Sequence, residues 1–425
     1  MSLNKIRTAI KSGGYDKDFA LMYQSTQNAK ERYLKAVDEF EKLYGDAEEI
    51  RLFSAPGRTE VGGNHTDHQH GRVLAGSVDL DVIAVVSKNN DNIVRIKSEG
   101  FKMDRIDLSN LAVNENEKGR AASLIRGMCA FVKEQGFEIG GFNAYTTSNV
   151  LKGSGLSSSA AFEVLVGVIL SHFFNNGAIS AVEIAKLAQK AENVYFGKPC
   201  GLMDQMASSV GGFTAIDFND PKNPIIEKVD FNLGEQNHKL CIINTGGNHA
   251  NLTGDYAAIT EEMRAISNAL GEDFLRDVND EVFFKKIPEL RETCGDRAVI
   301  RAMHFFAENK KAALEKEALF ENRFEDFLNL VSKSGESSFC YLQNVYSPAS
   351  PAEQGLSLAI AITKQFLNGR GACRVHGGGF AGTIQAFVPD DMLNEYKLLI
   401  EGVFGEGSCY VLNIRPVGGY ELSEK

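Results

Sequence analysis

The segment Leu151–Glu163 reads LKGSGLSSSAAFE and opens directly into the apolar run VLVGVILSHFF. Gly153 and Gly155 have no Cβ, so the backbone there can adopt positive φ and let a ligand approach closely. The first N–H groups of the following helix have no intrahelical partner and, with the helix dipole, form an anion site. The segment therefore predicts a phosphate loop. A Ser-rich cap on a buried helix is the alternative.

Length and composition indicate a globular chain with two or more domains or lobes. The chain has 425 residues, of which 43% are hydrophobic, enough to bury a large core. No run of about 18 apolar residues is present to span a bilayer, and the N-terminus lacks the apolar core of a signal peptide. The net charge of -11 argues against binding to nucleic acid or an anionic membrane. A small anionic ligand remains compatible with it.

The cysteines indicate a reducing compartment. The chain has 7 of them, scattered and without a CxxC pair. This distribution is typical of free thiols in the cytosol rather than of a disulfide framework or a zinc site.

Hydrophobic periodicity predicts an α+β fold, with a sheet covered by helices on one side in each lobe. Residues 16–45 are predicted to form one charged helix. A β meander is expected next, then the phosphate loop with its helix and a capping box at Ser180 and Glu183. We place an N-terminal helical extension at 1–36, an N-terminal lobe at 37–220 and a C-terminal lobe at 221–425.

The stretch SAPGRTEVGGNHTDHQHG crowds polar side chains onto a glycine-punctuated loop. Its histidines and aspartate suggest a metal site, but the spacing HTDHQH matches no established metal motif. Contacts to a sugar or another polar ligand explain the cluster better.

Two further carboxylates and a glycine run stand out. Asp204 is predicted to lie in the first turn of a helix, where it either favours the helix dipole or serves a site. Glu192 borders the buried face of its helix, where a carboxylate is costly unless it is paired or bound to a cation. The stretch ACRVHGGGFAG predicts a tight turn between strands.

Four of these motifs together resemble the GHMP small-molecule kinases, and among them most of all the galactokinases. SAPGRTEVGGNHTDH, LKGSGLSSSAAFE, FGKPCGLMDQMAS and RVHGGGFAGT occur in the order and spacing of that family. The resemblance extends from about residue 37 to the C-terminus. It implies a two-lobed GHMP kinase fold, with an N-terminal lobe like domain 2 of ribosomal protein S5 and a C-terminal ferredoxin-like lobe. ATP and the sugar are expected between the lobes.

The resemblance also implies roles for individual residues. Asp204 matches the residue beside the attacking C1 hydroxyl, and Arg58 matches its cationic neighbour. Ser159 and Glu192 match a pair that binds Mg²⁺. The implied phosphate cradle comprises Gly153, Ser154, Gly155, Leu156, Ser157, Ser158 and Ser159. The implied sugar-contacting positions are Glu60, Asn64, His65, Asp67, Gly201 and Tyr256.

The sequence departs from the galactokinase pattern at two of these positions. Galactokinases typically read GRVNLIGEHTDY, whereas this chain reads GRTEVGGNHTDH. Glu60 therefore stands where the family has asparagine, and Asn64 stands where it has glutamate. The resemblance implies phosphorylation of galactose at C1. A kinase for galacturonate or N-acetylgalactosamine and a non-catalytic sugar sensor are the alternatives.

Overall fold

A computed structural model of the protein describes residues 1–150, 155–247 and 252–424. It contains helices and two sheets, which confirms the predicted α+β class. The helices are α1 (Leu3–Ser12), α2 (Asp16–Met22), α3 (Thr26–Tyr44), α4 (Ala121–Glu134), α5 (Ser158–Asn175), α6 (Ala181–Ala191), α7 (Met203–Val210), α8 (Thr253–Ala269), α9 (Asp280–Cys294), α10 (Asp296–Phe320), α11 (Phe324–Ser337), α12 (Gly355–Leu367) and α13 (Leu393–Phe404). The strands are β1 (Arg51–Gly62), β2 (Arg72–Lys88), β3 (Ile93–Ser98), β4 (Asp104–Asp107), β5 (Phe142–Ser148), β6 (Phe213–Asp217), β7 (Ile225–Val229), β8 (His238–Asn244), β9 (Ala372–Val375), β10 (Thr383–Pro389), β11 (Cys409–Leu412) and β12 (Tyr420–Leu422).

The first sheet is built around β2, which is 17 residues long. Its strand order is β12-β1-β2-β5-β3-β4, with β6 paired to β2 and β7 paired to β6. β2 pairs with β1 along most of its length, with β5 at one end and with β6 at the other. The β3–β5 pair is parallel, and the other pairs are antiparallel. β5 therefore leads out of the middle of the sheet into the glycine and serine segment.

Helices cover both faces of this sheet, so the expectation of helices on one side is wrong. Val82, Ala84 and Val86 pack in the core that contains α4 and α5. Ile83 and Val85, between them, pack against the N-terminal helices on the opposite face. A strand buried on both faces carries a continuous apolar run rather than an alternating one, as β2 does here.

Residues 16–45 form two helices, α2 and α3, rather than the single one predicted, and α1 precedes them. The break lies between α2 and α3, where the Ser25 side chain accepts a hydrogen bond from the backbone N–H of Asn28 and caps α3. α1 supplies Ile6 and Ile10 to the same buried cluster. Because α3 ends at Tyr44, it crosses the predicted boundary at residue 36.

The second sheet has the order β11-β8-β10-β9, and it too is covered on both faces. Ile243 and Ile384 pack with α12 and α13, whereas Ile242 and Phe387 pack with α11. Two strands that follow residue 220, β7 and β12, pair within the first sheet. The chain thus returns to its first sheet at its end.

The helix α5 forms the centre of the first core. Its 18 residues have the length and hydropathy of a membrane span, which the sequence analysis did not anticipate. In the structure, 67% of the helix is buried inside the protein, as expected for a core helix. Its N-terminus faces the site described next.

Candidate active site

Asp204 and Arg58 form an ion pair at the centre of the site. Arg58 lies on β1 and donates from Nε to Oδ1 of Asp204 at 2.7 Å, with Nη2 at 2.6 Å from the same oxygen. Asp204 lies in the first turn of α7, as predicted. The carboxylate also accepts a hydrogen bond from the Ser157 hydroxyl at 2.7 Å. The predicted catalytic pair is therefore in contact with the predicted phosphate loop.

These contacts keep the Asp204 carboxylate ionised. Burial acts to raise its pKa, but the charge of Arg58 and the hydrogen bonds from Ser157 and Arg58 outweigh burial. The pKa of Asp204 consequently lies below the ordinary value for aspartate. A carboxylate offers about four acceptor positions, so Asp204 can still accept a further hydroxyl.

The described end of the predicted phosphate loop is bound to β1 through its backbone carbonyls. The Arg58 N–H donates to the carbonyl of Leu156 at 3.0 Å, and the Arg58 side chain donates to the carbonyl of Gly155. Gly155 has φ of 73°, and a Cβ there would lie 3.0 Å from Nδ1 of His376. This position thus requires glycine on both counts. Gly153 and Ser154 lie outside the described residues.

Ser158 and Ser159 begin α5, and Ser159 contacts Glu192, the other member of the predicted metal pair. Its hydroxyl donates to Oε1 of Glu192 at 3.3 Å. Glu192, only 2% exposed, begins a π-helical turn, Glu192–Phe196, that continues from α6. Its other carboxylate oxygen accepts from Nε2 of Gln205 at 2.7 Å, and Nζ of Lys198 lies 3.4 Å from Oε1.

The donor set of this pair suits a hard cation such as Mg²⁺. A hydroxyl and a carboxylate are oxygen ligands, and Mg²⁺ typically takes one or two carboxylates together with substrate phosphates and water. The buried carboxyl of Glu163 adjoins Glu192 through Gln205, and its Oε1 has no hydrogen-bond partner. In the part of the chain that the structure describes, no three His, Cys, Asp or Glu side chains are grouped as metal ligands.

The glycine run Gly377–Gly379 gathers two of the predicted sugar-contacting residues. Nε2 of His65 lies 3.0 Å from the carbonyl oxygen of Gly378, and the Tyr256 hydroxyl donates to the carbonyl of Gly379 at 2.8 Å. Burial and the neighbouring His68 lower the pKa of His65 to about 4. The imidazole is therefore neutral at pH 7, and Nε2 carries the proton that Gly378 accepts. The sequence predicted a tight turn here and a family motif, but no role for these glycines in holding His65 and Tyr256.

Asp67 and Gly201 lie side by side. A Cβ at position 201 would lie 2.8 Å from Oδ2 of Asp67, so glycine allows the carboxylate to sit close to the backbone. Asp67 is half-buried, and Gly201 is exposed just before α7. The pair therefore borders the same surface as Asp204.

Glu60 and Asn64 lie behind that surface, in a buried network. Asn64 has no exposed surface, and its amide donates to Glu60 and to the carbonyl of Gly377, each at 2.8 Å. Its Oδ1 accepts from Ser338 and from Asn344. Every polar position of the Asn64 side chain is thus used within the protein.

A cavity of about 940 Å³ opens beside the N-terminus of α5. Phe101, Phe162 and Phe196 give it an apolar wall, and Arg120 and Glu99 lie at its edge. Ser158 and Ser159 also line it, and they follow Ser157, which contacts Asp204. The cavity could not be predicted from sequence motifs, because most of its lining comes from β2–β5, α4 and the turn after α6, outside the glycine and serine segment.

Family models match two parts of the chain. The model for the GHMP kinase N-terminal domain matches residues 123–212, and that for the galactokinase galactose-binding signature matches residues 38–88. A galactokinase of Glaesserella parasuis serovar 5 (strain SH0165) is 29% identical over 364 residues, covering 85% of this chain and 91% of the relative. A galactokinase of Streptomyces coelicolor is 28% identical over 371 residues, covering 86% and 92%.

Solved structures give a similar result. Galactokinase of Lactococcus lactis, in complex with galactose, superposes with a TM-score of 0.77 at 25% identity and covers 92% of this chain and 100% of its own. Mevalonate kinase of Methanococcus jannaschii superposes with a TM-score of 0.59 at 17% identity, covering 86% and 99%. The second likeness concerns the fold alone.

Proposed function

Because the chain belongs to the GHMP small-molecule kinase family, we propose that it is a galactokinase, which transfers the γ-phosphoryl group of ATP to the C1 hydroxyl of galactose. The observation that carries this proposal is the contact of Asp204 with both Arg58 and Ser157. It joins an ionised carboxylate to a phosphate loop at the start of a helix, which is what phosphoryl transfer to a hydroxyl requires.

In this proposal Asp204 orients the C1 hydroxyl and accepts its proton. Its depressed pKa makes it a weak base, so orientation of the hydroxyl is its larger contribution. Arg58 keeps the carboxylate ionised and offsets the negative charge that develops during transfer. The hydroxyl oxygen forms the new bond to the γ-phosphorus, and the bond from that phosphorus to ADP breaks.

The phosphates are assigned to the N-terminus of α5 and the adenosine to the neighbouring cavity. Free N–H groups at a helix N-terminus bind anions, and Ser158 and Ser159 lie where the cavity meets the helix. The cavity has the size of a typical small-molecule site and an aromatic wall suited to a base. Gly153 and Ser154 complete the proposed cradle.

Ser159 and Glu192 are proposed to hold Mg²⁺. When bound, this cation neutralises charge on the transferring phosphate. Lys198 lies 3.4 Å from the same Glu192 oxygen and supplies a further positive charge there.

His65, Asp67, Gly201 and Tyr256 are proposed to position the sugar. Asp67 places its half-buried carboxylate beside Gly201, and the glycine run binds His65 and Tyr256. The contact of Asp204 with Arg58 and Ser157, together with the presence of Ser159 beside Glu192, favours an enzyme over a silent sugar sensor. The described cysteines, all free, suit a cytoplasmic location.

The proposal is tested by sugar-dependent release of ADP from ATP and Mg²⁺. Galactose should support turnover, with the phosphate found on the anomeric carbon by NMR, and the reaction without sugar should give the background rate. If none of a panel of monosaccharides stimulates ADP release above that background, the proposed function is wrong.

A further inference from the structure

Arg32, on the N-terminal helix α3, contacts the end of β5 where the chain leaves the first sheet. Its Nη2 donates to the carbonyl of Asp81 at 3.0 Å and to the carbonyl of Thr147 at 3.1 Å. Its Nη1 pairs with the Asp81 carboxylate. One guanidinium therefore joins β2 and β5 at a single point.

The segment just beyond that point lines the cavity beside α5. The backbone N–H of Asp81 donates to Oδ1 of Asn149 at 2.6 Å, and the N–H of Asn149 donates back to the carbonyl of Asp81 at 3.1 Å. Asn149 and Val150 are cavity-lining residues. The position of the Asp81 carbonyl thus sets the path of the chain into the phosphate loop.

The same helix also contacts a second wall of the cavity. Lys35 pairs with Glu99 at 2.9 Å. Glu99 lines the cavity, donates its N–H to the carbonyl of Thr146 at 2.8 Å and accepts from the Thr147 hydroxyl. α3 therefore contacts the ends of both β3 and β5, although Arg32 is absent from the cavity lining.

Loss of Arg32 leaves Asp81 with other partners. Its carboxylate is also bound by Arg415 at 3.1 Å, by the Ser54 hydroxyl and by the Tyr23 hydroxyl. Arg415 is fully covered by protein and keeps the buried carboxylate compensated. An Arg32 variant is therefore expected to fold. Its specific loss is the pair of hydrogen bonds to the carbonyls of Asp81 and Thr147.

We infer that Arg32 is a positioning residue for nucleotide binding, through which the N-terminal helices hold the end of β5 and the chain that enters the phosphate loop. The inference rests on the proposed function, because it assigns the cavity beside α5 to the nucleotide. It also gives the N-terminal extension a role in ATP affinity rather than in stability alone.

Arg32→Met tests this inference, with Arg7→Met as the matched control. Arg7 lies on α1, pairs with Asp38 and Glu41 of α3, and is as covered as Arg32, with side-chain exposures of 19% and 20%. Dissociation constants for ATP with Mg²⁺ and for galactose are measured separately by titration calorimetry on the full chain, with a thermal melt for each protein. Arg32→Met should weaken ATP binding by about fivefold or more and leave galactose binding within about twofold.

Two further variants distinguish a positioning role of Arg32 from a general destabilisation of the N-terminal helices. Arg7→Met should leave both affinities within about twofold even where its melting temperature falls, and Arg32→Lys should recover part of the ATP affinity. Unchanged ATP affinity in Arg32→Met, equal weakening of both ligands, or an equal effect of Arg7→Met would overturn the inference alone. A wild-type protein that binds galactose but no ATP would overturn the proposed function and the inference with it.

Discussion

Asn64 donates from Nδ2 to Oε1 of Glu60 at 2.8 Å, and Arg374 donates to that same oxygen at 2.7 Å. At these two positions the chain has an acid and an amide in the reverse of the usual galactokinase order. The direct contact means that the exchange keeps one acid and one amide together. Arg374, which has no exposed surface, compensates the charge of the relocated acid.

The first prediction concerns sugar specificity. Because the Asn64 amide is saturated by protein partners, it is not free to bind the C6 group of a sugar, and the exchange should leave the preference for galactose intact. We expect kcat/KM for galactose to exceed the values for galacturonate, N-acetylgalactosamine and glucose by about tenfold or more. Steady-state kinetics with the four sugars measure this. Galactose ranking below any of the others would contradict it.

The buried network should be sensitive to a second acid. Asn64→Asp places a carboxylate against Glu60 and against the carbonyl of Gly377, at a side chain with no exposed surface. We expect a loss of about 3 kcal/mol in unfolding free energy, measured by urea denaturation. Asn116→Asp, the same change on an exposed residue, should stay within about 0.5 kcal/mol. Equal midpoints for both variants would show that the network tolerates the charge.

Local sequence signals predicted the parts of the site that depend on neighbouring residues. The start of α5 within the serine run, the capping box on α6 and the position of Asp204 in the first turn of α7 were all placed correctly. Each depends on the conformational preferences of a few consecutive residues.

The remaining features depend on contacts between distant parts of the chain. Asn64 and Gly377 are 313 positions apart, and no local pattern indicates that an amide on the sugar loop meets the glycine run. For the same reason, the sequence did not predict that α1–α3 cover the second face of the first sheet. Although residues 82–86 of β2 form a continuous apolar run, that run alone does not identify which helices cover the strand.

Asp204→Asn should separate catalysis from binding. The amide keeps the shape of the side chain but cannot accept a proton, so we expect kcat to fall by about 10²–10⁴ while galactose affinity stays within a few fold. Turnover kinetics and calorimetric titration with galactose measure the two effects. Near-normal turnover would remove Asp204 from the reaction, and a comparable loss of galactose affinity would assign it to binding instead.

The pH dependence of kcat should report the ion pair. A carboxylate with a depressed pKa stays ionised as the pH falls, so the acid limb of wild-type kcat should lie below the ordinary range for aspartate. Arg58→Met removes the charge and hydrogen bonds that depress the pKa, and the acid limb should move to higher pH. Arg72→Met, which disrupts an ion pair with Asp217, should change neither the pH of the acid limb nor the plateau value of kcat. An Arg58→Met limb at the wild-type position would contradict the assignment.

The last prediction concerns the Mg²⁺ requirement. Ser159→Ala and Glu192→Gln each remove an oxygen ligand, so the Mg²⁺ concentration for half-maximal velocity should rise by about tenfold in each variant at fixed ATP. Ser171→Ala is the matched control, because Ser171 lies on the same helix and its hydroxyl donates instead to the carbonyl of Ile179 at 3.3 Å. Its Mg²⁺ titration should superpose on that of the wild type. If the titrations of Ser159→Ala and Glu192→Gln superpose on it as well, neither residue binds the cation, and the hydroxyl of Ser159 serves only to hold Glu192.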